Sequence, residues 1–260
     1  MDHTHFARRP LGLQGPIFPQ EILDQIMSHV DDRQTLHSCL LASPALLAGA
    51  RRGIFRKVTM RPWQLGFAQE FLSVSHRASC VRHLTIEGSL NSVSDTPFTV
   101  ELLSPFNKLE SVSIARLVRW ESVSTLPIQC SSVQSLTIAE CHLPSTLDVV
   151  QLICSYPRLT TLCVRETFWD DSDSTTEFLK TARLPPIREL DVWSVKSSLA
   201  RIWLLPGVHV QLQKLYACAA TYTDALLWID MVERAGHHLI DLTIIDDNLS
   251  FWNSDMDLVE

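Results

Sequence analysis

An apolar spacing pattern recurs eight times between residues 55 and 244 of this chain. In each copy an apolar residue is followed three positions later by a second one and five positions later by a third. The triplets are Phe55/Val58/Met60, Val81/Leu84/Ile86, Leu109/Val112/Ile114, Val133/Leu136/Ile138, Leu159/Leu162/Val164, Ile187/Leu190/Val192, Leu212/Leu215/Ala217 and Leu239/Leu242/Ile244. Because the middle residues of successive triplets lie 24 to 28 residues apart, one structural unit is repeated along most of the chain.

A repeat of this length predicts a leucine-rich-repeat solenoid, in which each unit is a short strand followed by a helical return. One unit cannot bury enough apolar surface to offset the entropy of ordering its backbone, so the units are stable only when they stack. The expected fold class is therefore α/β, with a parallel concave sheet and a helical convex side. An ordinary doubly wound α/β domain is the alternative.

The links between the triplets carry helix signals. Asp224 and Gly236 bracket an apolar run that reads as a helix with a start and a stop. Residues 145–148 and 174–177 resemble capping boxes, which satisfy free amides at a helix start. Cys141 lies just after a strand, where a small polar side chain is expected to satisfy backbone groups.

Composition predicts a water-soluble intracellular protein. The chain has 260 residues, of which 46% are hydrophobic and 20% charged, as in globular proteins. The apolar run at 39–50 is shorter than the roughly 18 residues that span a membrane, and the first fifteen residues contain no secretory signal. The seven cysteines have no metal or redox spacing. We therefore expect reduced thiols, no metal, no cofactor and no membrane contact, in the cytoplasm or nucleus.

Motifs of catalysis are missing from the sequence. The eight glycines form neither a phosphate-binding loop nor a nucleophile elbow, and no His-Glu-x-x-His or Cys-x-x-Cys occurs. The chain is therefore not expected to be an enzyme. A basic run at 51–61 lacks an aromatic stacking platform, and the net charge is −7, so nucleic acid is not an expected partner.

The segment before the repeats has a different pattern. Phe18-Pro19-Gln20-Glu21-Ile22 opens a helix with proline near its start, after which apolar residues follow at four-residue steps. A polar turn, a second helix and a break at Pro44 come next. Three short helices expose more apolar surface than they can bury, so a partner is expected to cover it.

This segment resembles an F-box. The residues that carry the resemblance are Phe18, Pro19, Glu21, Ile22, Ile26, Val30, Leu36, Cys39 and Leu40. The stretches 39–47 and 51–56 look like the exit of F-boxes in the large fungal family of F-box and leucine-rich-repeat proteins, and with the repeats the resemblance covers nearly the whole chain. Leu46 stands where the family commonly has tryptophan, and Pro44 lies in the same junction.

The resemblance implies a substrate-recognition adaptor of a Skp-cullin-F-box ubiquitin ligase, with the solenoid binding a substrate protein. The residues expected to dock on the Skp linker protein are Phe18, Pro19, Ile22, Leu23, Ile26, Val30, Leu36, Cys39 and Leu40. Alternatively, Ile22, Ile26 and Val30 cap the first turn of the solenoid. Two other functions stay open: a leucine-rich-repeat scaffold with no ligase role, and a hydrolase on an α/β sheet.

Strand alternation indicates where a substrate would bind. Side chains between the triplet residues point to the opposite face of the sheet, which is the concave surface of a solenoid. They are small in the first half of the array, whereas the second half gathers Arg165, Asp191, Trp193 and Tyr216 on adjacent strands. Trp, Tyr and Arg are enriched at binding hot spots, so these four residues form the predicted substrate site. The alternative is that loops or the C-terminal tail of this chain cover Trp193.

The predicted domain organisation has four parts. They are a flexible N-terminus at 1–15, an F-box-like helical domain at 16–54, a solenoid of about eight repeats at 55–250 and an acidic tail at 251–260. Phe251 and Trp252 either shield the open edge of the last strand or belong to a further repeat.

Overall fold

The computed structural model describes residues 18–61, 64, 77–88, 103, 106–117, 131–170, 183–193, 198–204, 211–219 and 221–246. The chain divides into two compact units, Met1–Phe55 and Arg56–Glu260. The predicted N-terminal segment 1–15, the capping box at 174–177 and the tail at 251–260 lie outside the described residues.

Three helices build the first unit: α1 (Gln20–Ser28), α2 (Arg33–Ala42) and α3 (Pro44–Arg56), which ends one residue beyond it. The side chain of Asp32 accepts hydrogen bonds from the first amides of α2, so this helix begins within the predicted polar turn. Pro44 is the first residue of α3, where its missing N–H costs no hydrogen bond.

The core of this unit is small and depends on two glycines. Met27, Leu36 and Ala50 are buried together. A Cβ at Gly49 would lie 2.9 Å from the Met27 side chain, and one at Gly53 would lie 2.8 Å from Cδ2 of Leu36. Close approach of α3 therefore needs glycine at both positions.

The described part of the second unit consists of strands with helices between some of them. Its strands are β1 (Lys57–Met60), β2 (His83–Glu87), β3 (Ser111–Ala115), β4 (Ser135–Ala139), β5 (His142–Ser145), β6 (Thr161–Arg165), β7 (Phe168–Asp170), β8 (Glu189–Trp193), β9 (Lys214–Ala219) and β10 (Asp241–Asp246). Its helices are α4 (Thr146–Cys154), α5 (Ser198–Trp203) and α6 (Tyr222–Ala235), with 3₁₀ turns at Ala78–Cys80 and Gly236–His238.

Eight of the strands form one parallel sheet in the order β1-β2-β3-β4-β6-β8-β9-β10. Every neighbour in this sheet is the next of these strands along the chain, without the reversal of order that characterises a doubly wound sheet. The α/β class and the parallel sheet are thus confirmed. β5 and β7 pair as a second, two-stranded parallel sheet, which the triplet pattern did not predict.

The triplets are in register across the large sheet. Leu84 pairs with Val112 and Ile86 with Ile114, and the same pairing continues through the later strands. Triplet residues from β2 to β9 are at most 5% exposed, because they pack with residues of α4, α5 and α6 in one core. Phe55, the first residue of the first triplet, instead lies in α3.

Side chains just after the strands satisfy backbone groups, as we expected for Cys141. Its thiol donates to the carbonyl of Ala139 at 3.2 Å. The hydroxyl of Thr167 donates in the same way to the carbonyl of Arg165 at 2.8 Å. The ends of β4 and β6 are therefore each closed by a buried side-chain donor two residues further along the chain.

Capping groups fix two of the helices. The Ser145 hydroxyl accepts from the Asp148 amide at 3.2 Å, which starts α4. Thr221 and Asp224 form a reciprocal capping box, so α6 begins two residues before the predicted position. It ends before Gly236, whose φ of 54° is left-handed. Within the described ranges, every helix is too short or too polar to cross a membrane.

Burial of Cys141 predicts a loss of stability at alkaline pH. Burial raises the pKa of this thiol from its ordinary 9.0 to about 11, so the folded state keeps a proton that the unfolded chain releases. The thiol's contribution is fully present below pH 9 and is lost as the pH rises towards 11. Relative to Cys141→Ala, the free energy of unfolding of the unaltered chain should fall by up to about 3 kcal/mol across this interval.

Urea unfolding of both proteins at intervals from pH 8 to pH 11 measures this difference. The same pH dependence in the two proteins would contradict the burial of a protonated thiol.

Candidate protein-binding surfaces

Helix α1 presents apolar side chains on its outer side. Phe18, Ile22 and Ile26 are 53%, 43% and 50% exposed. Ile22 and Ile26 lie four residues apart on one side of α1, and Phe18 lies two residues before the first residue of the helix. Met27 faces the core of the unit. We call Phe18, Ile22 and Ile26 the α1 stripe.

The other residues expected to bind the Skp linker differ in exposure. Pro19 is exposed, and Leu23 is half-buried. Val30, Cys39 and Leu40 are half-buried against the core. Leu36 is only 3% exposed. The side chain of Leu36 packs beneath Gly53, and its part in binding the Skp linker stays a prediction.

Leu41 was missed by the sequence analysis although it is 90% exposed, the highest value among the exposed apolar residues described. It follows Leu40 directly, and neighbouring positions on a helix face different directions. Leu40 therefore packs against the core of the unit, whereas Leu41 is exposed at the surface.

Polar contacts hold α1 against α3. Asp24 pairs with Arg52, and Gln20 donates to the carbonyl of Ala45 at 2.9 Å. The hydrogen bond from Arg52 lowers the pKa of Asp24, with a smaller contribution from Gln20. The α1 stripe is therefore carried on a helix whose orientation within the unit is fixed.

The large sheet has one face turned away from the core, which we call the open face. Its side chains follow the in-out alternation of each strand. On β3 and β4 these side chains are small, and they are Ser111, Ser113, Ala115, Ser135, Thr137 and Ala139. The part of the open face that β3 and β4 form thus carries only small, uncharged side chains.

The four residues of the predicted substrate site lie together on the other half. Arg165 is opposite Trp193, and Asp191 is opposite Tyr216. The four side chains come from three adjacent strands, β6, β8 and β9. Neighbouring parallel strands lie roughly 4.8 Å apart, so these side chains are close to one another. Trp193 is half-buried, Tyr216 is also half-buried, and Arg165 is exposed.

Asp191 is the electrostatic centre of this group. One carboxylate oxygen pairs with Arg165. The other is buried and lacks a hydrogen-bond partner among the described residues. Cys163 lies opposite Asp191, and burial, followed by the negative charge of Asp191, raises the pKa of its thiol to about 11. Cys163 therefore stays protonated at neutral pH.

Two further pairs extend the group, although sequence reasoning did not single them out. Lys214 lies 2.7 Å from a carboxylate oxygen of Glu189. The Tyr216 hydroxyl donates to Asp241, and this bond is the largest cause of the raised pKa of Tyr216. The open face from β6 to β10 therefore carries charges of alternating sign beside two aromatic rings.

A second charged network lies at the C-terminal ends of β2 to β4. Arg116 bridges Glu87 at 3.0 Å and Glu140 at 3.2 Å. Arg116, Glu140 and Glu166 all have positive φ, between 47° and 59°. Strand alternation does not extend to a left-handed residue, so the spacing pattern predicts no role for these three positions.

The open face also carries a histidine on β2. Burial lowers the pKa of His83, so its imidazole stays neutral at pH 7. No group of three potential metal ligands occurs in the described part of the chain. Paired charges, hydroxyls and half-buried aromatic rings are groups that recognise a folded or extended polypeptide.

No protein-family model matches this chain, and no curated protein matches it at a significant level.

The exposure of Arg165 predicts that its pair with Asp191 adds little to stability. The Arg165 side chain is 54% exposed, and exposed ion pairs contribute about 1 kcal/mol or less. A double-mutant cycle with Arg165→Gln and Asp191→Asn should therefore give a coupling energy below about 1 kcal/mol in urea unfolding.

A coupling energy of 3 kcal/mol or more would mean that the pair belongs to the folded core. Arg165 would then be unavailable to a partner.

Proposed function

We propose that this protein is the substrate-recognition adaptor of a Skp-cullin-F-box ubiquitin ligase. In this proposal the first unit is an F-box that docks on the Skp linker protein, and the second is a leucine-rich-repeat solenoid that binds a substrate protein. The adaptor contributes binding and no catalytic step, and it works in the cytoplasm or nucleus without metal or cofactor.

The α1 stripe is the observation that carries the proposal. Two large apolar side chains on α1 and a third just before it remain roughly half exposed, and the buried core formed by the described residues of the unit has only three members. An exposed apolar stripe of this kind marks a protein-binding site, because water contact with it is unfavourable. Its position on and just before α1, which Phe18 and Pro19 directly precede, agrees with the resemblance to an F-box.

The second unit supports the other half of the proposal. A period of 24 to 28 residues accompanies a parallel sheet in chain order, and stacked repeats of this length suit a leucine-rich-repeat solenoid. Its open face would be the concave surface. There the C-terminal half offers Arg165, Asp191, Trp193 and Tyr216, and the N-terminal half offers small side chains.

Charged substitutions on the α1 stripe test the ligase role. Burying the exposed part of one isoleucine contributes about 1 kcal/mol to binding. Changing Ile22→Glu and Ile26→Glu together should therefore weaken binding to purified Skp linker protein at least ~30-fold in calorimetry. Gln25→Glu, an exposed change on the same helix, is the matched control and should bind as the unaltered chain does.

Two outcomes would reject the ligase role. If the unaltered chain does not bind the Skp linker, the scaffold with no ligase role becomes the better account. If the double variant binds as well as the control, the contact lies elsewhere.

Trp193 tests the substrate site. Truncating a hot-spot tryptophan costs about 2 kcal/mol or more, so Trp193→Ala should lose the proteins that the unaltered chain captures in its native host. Thr137→Ala, on the small-residue half of the open face, should keep them. Quantitative mass spectrometry measures capture, and circular dichroism should show that both variants stay folded.

Equal capture by a folded Trp193→Ala variant would remove this half of the open face from consideration.

A further inference from the structure

The second unit carries all of the net charge of the chain. Residues 56–260 contain 17 lysines and arginines and 24 aspartates and glutamates, which gives −7, whereas residues 1–55 contain five of each kind. Net negative charge attracts cationic partners and repels anionic ones. Part of this excess lies on the open face, beside the predicted substrate site.

Two carboxylates in this region have no cationic partner among the described residues. Glu166, directly after β6, is exposed and forms no ion pair there. Asp241, on β10, accepts a hydrogen bond from the uncharged hydroxyl of Tyr216. It lies opposite Lys214, but the ammonium of Lys214 pairs with Glu189 at 2.7 Å. The cations of β6 to β10 are therefore already paired, and two negative charges are left over.

The two carboxylates and the two aromatic rings lie in one line across the sheet. Tyr216 lies one strand from Asp241 and two residues further along the strand direction, and Trp193 lies one more strand away and two residues further again. Glu166 comes next, because its amide donates to the carbonyl of Trp193 at 2.9 Å. We call Asp241, Tyr216, Trp193 and Glu166 the diagonal row.

The length of the diagonal row follows from sheet geometry. From β10 to β6 it crosses three strand spacings, which is about 14 Å. Glu166 also lies five residues beyond Thr161, the residue of β6 in register with Asp241, which adds about 16 Å along the strands. The backbone positions of its two ends are therefore about 20 Å apart, a distance that about six residues of extended polypeptide cover.

Cations are favoured along the whole of this row. Ammonium and guanidinium groups bind to the faces of tryptophan and tyrosine rings within about 6 Å. Beside the rings, Asp191 pairs with Arg165 through one oxygen only, and its second oxygen is buried without a hydrogen-bond partner among the described residues. An acidic segment would have to displace a carboxylate from Arg165 or Lys214 and would be repelled by Glu166 and Asp241.

We propose that the diagonal row binds an extended basic segment of the substrate protein. Two lysine or arginine side chains, about six residues apart in that segment, pair with Asp241 and Glu166. The residues between them lie on the rings of Tyr216 and Trp193. This inference rests on the proposed substrate-binding role of the open face and does not depend on the ligase role.

Peptide selection on the full chain tests the proposal. Random peptides of about twelve residues, twice the proposed spacing, are displayed on phage and selected on the unaltered chain, and peptides that also bind Trp193→Ala are removed. The remaining peptides bind at the rings. Sequencing should find lysine or arginine at two positions about six residues apart, at least threefold above the frequency in the library.

The selection separates failure of this inference from failure of the substrate site. Peptides that depend on Trp193 but show no such enrichment, or that are rich in aspartate and glutamate, would overturn the basic-segment proposal and leave the substrate site in place. If every selected peptide binds Trp193→Ala equally well, the substrate site is rejected and this inference with it.

Matched charge variants provide a second measurement on a selected basic peptide. Glu166→Gln with Asp241→Asn should weaken its binding about tenfold at low salt, because two exposed ion pairs are lost. Asp230→Asn with Glu233→Gln removes two charges from exposed positions on α6 and should bind as the unaltered chain does. High salt should abolish the difference. Equal losses in the two double variants would overturn the proposal, because net charge alone would then attract the peptide.

Discussion

The backbone ladder that joins eight parallel strands is the interaction on which the second unit depends. Each repeat is too short to bury its own apolar residues, and each strand needs neighbours for its N–H and C=O groups. One strand register meets both requirements. When the backbone groups pair, Leu136 lies beside Val112 on one side and Leu162 on the other, so the apolar residues are stacked as well. The same register that stacks the core residues also arranges the opposite face.

The open face follows from that stacking. Side chains from different repeats become neighbours although they lie about 26 residues apart in sequence, as Arg165 and Asp191 do. Small residues on β3 and β4 adjoin charged and aromatic residues on β6 to β9, so one surface offers two distinct regions. The first unit, with the exposed α1 stripe, carries an exposed surface of another kind, which is apolar and narrow.

Much of the second unit could be predicted because triplet spacing reports strand position directly. The sheet, its core and the grouping of Arg165 with Asp191 all follow from alternation. The network around Arg116 could not be predicted, since a left-handed residue after a strand breaks the alternation. Helix spacing likewise did not indicate that Leu36 is buried, because α1 and α2 are apolar on more than one side. Periodicity alone does not tell which side is packed.

Native-state hydrogen exchange at low denaturant tests the central claim, that the repeats are stable only as one stack. The account predicts that protected amides of β2 and β9, at distant positions in the sheet, open with the same free energy, equal to that of global unfolding. If β2, β3 and β4 open and close while β8 and β9 remain protected, the sheet consists of independent parts, and the account is wrong.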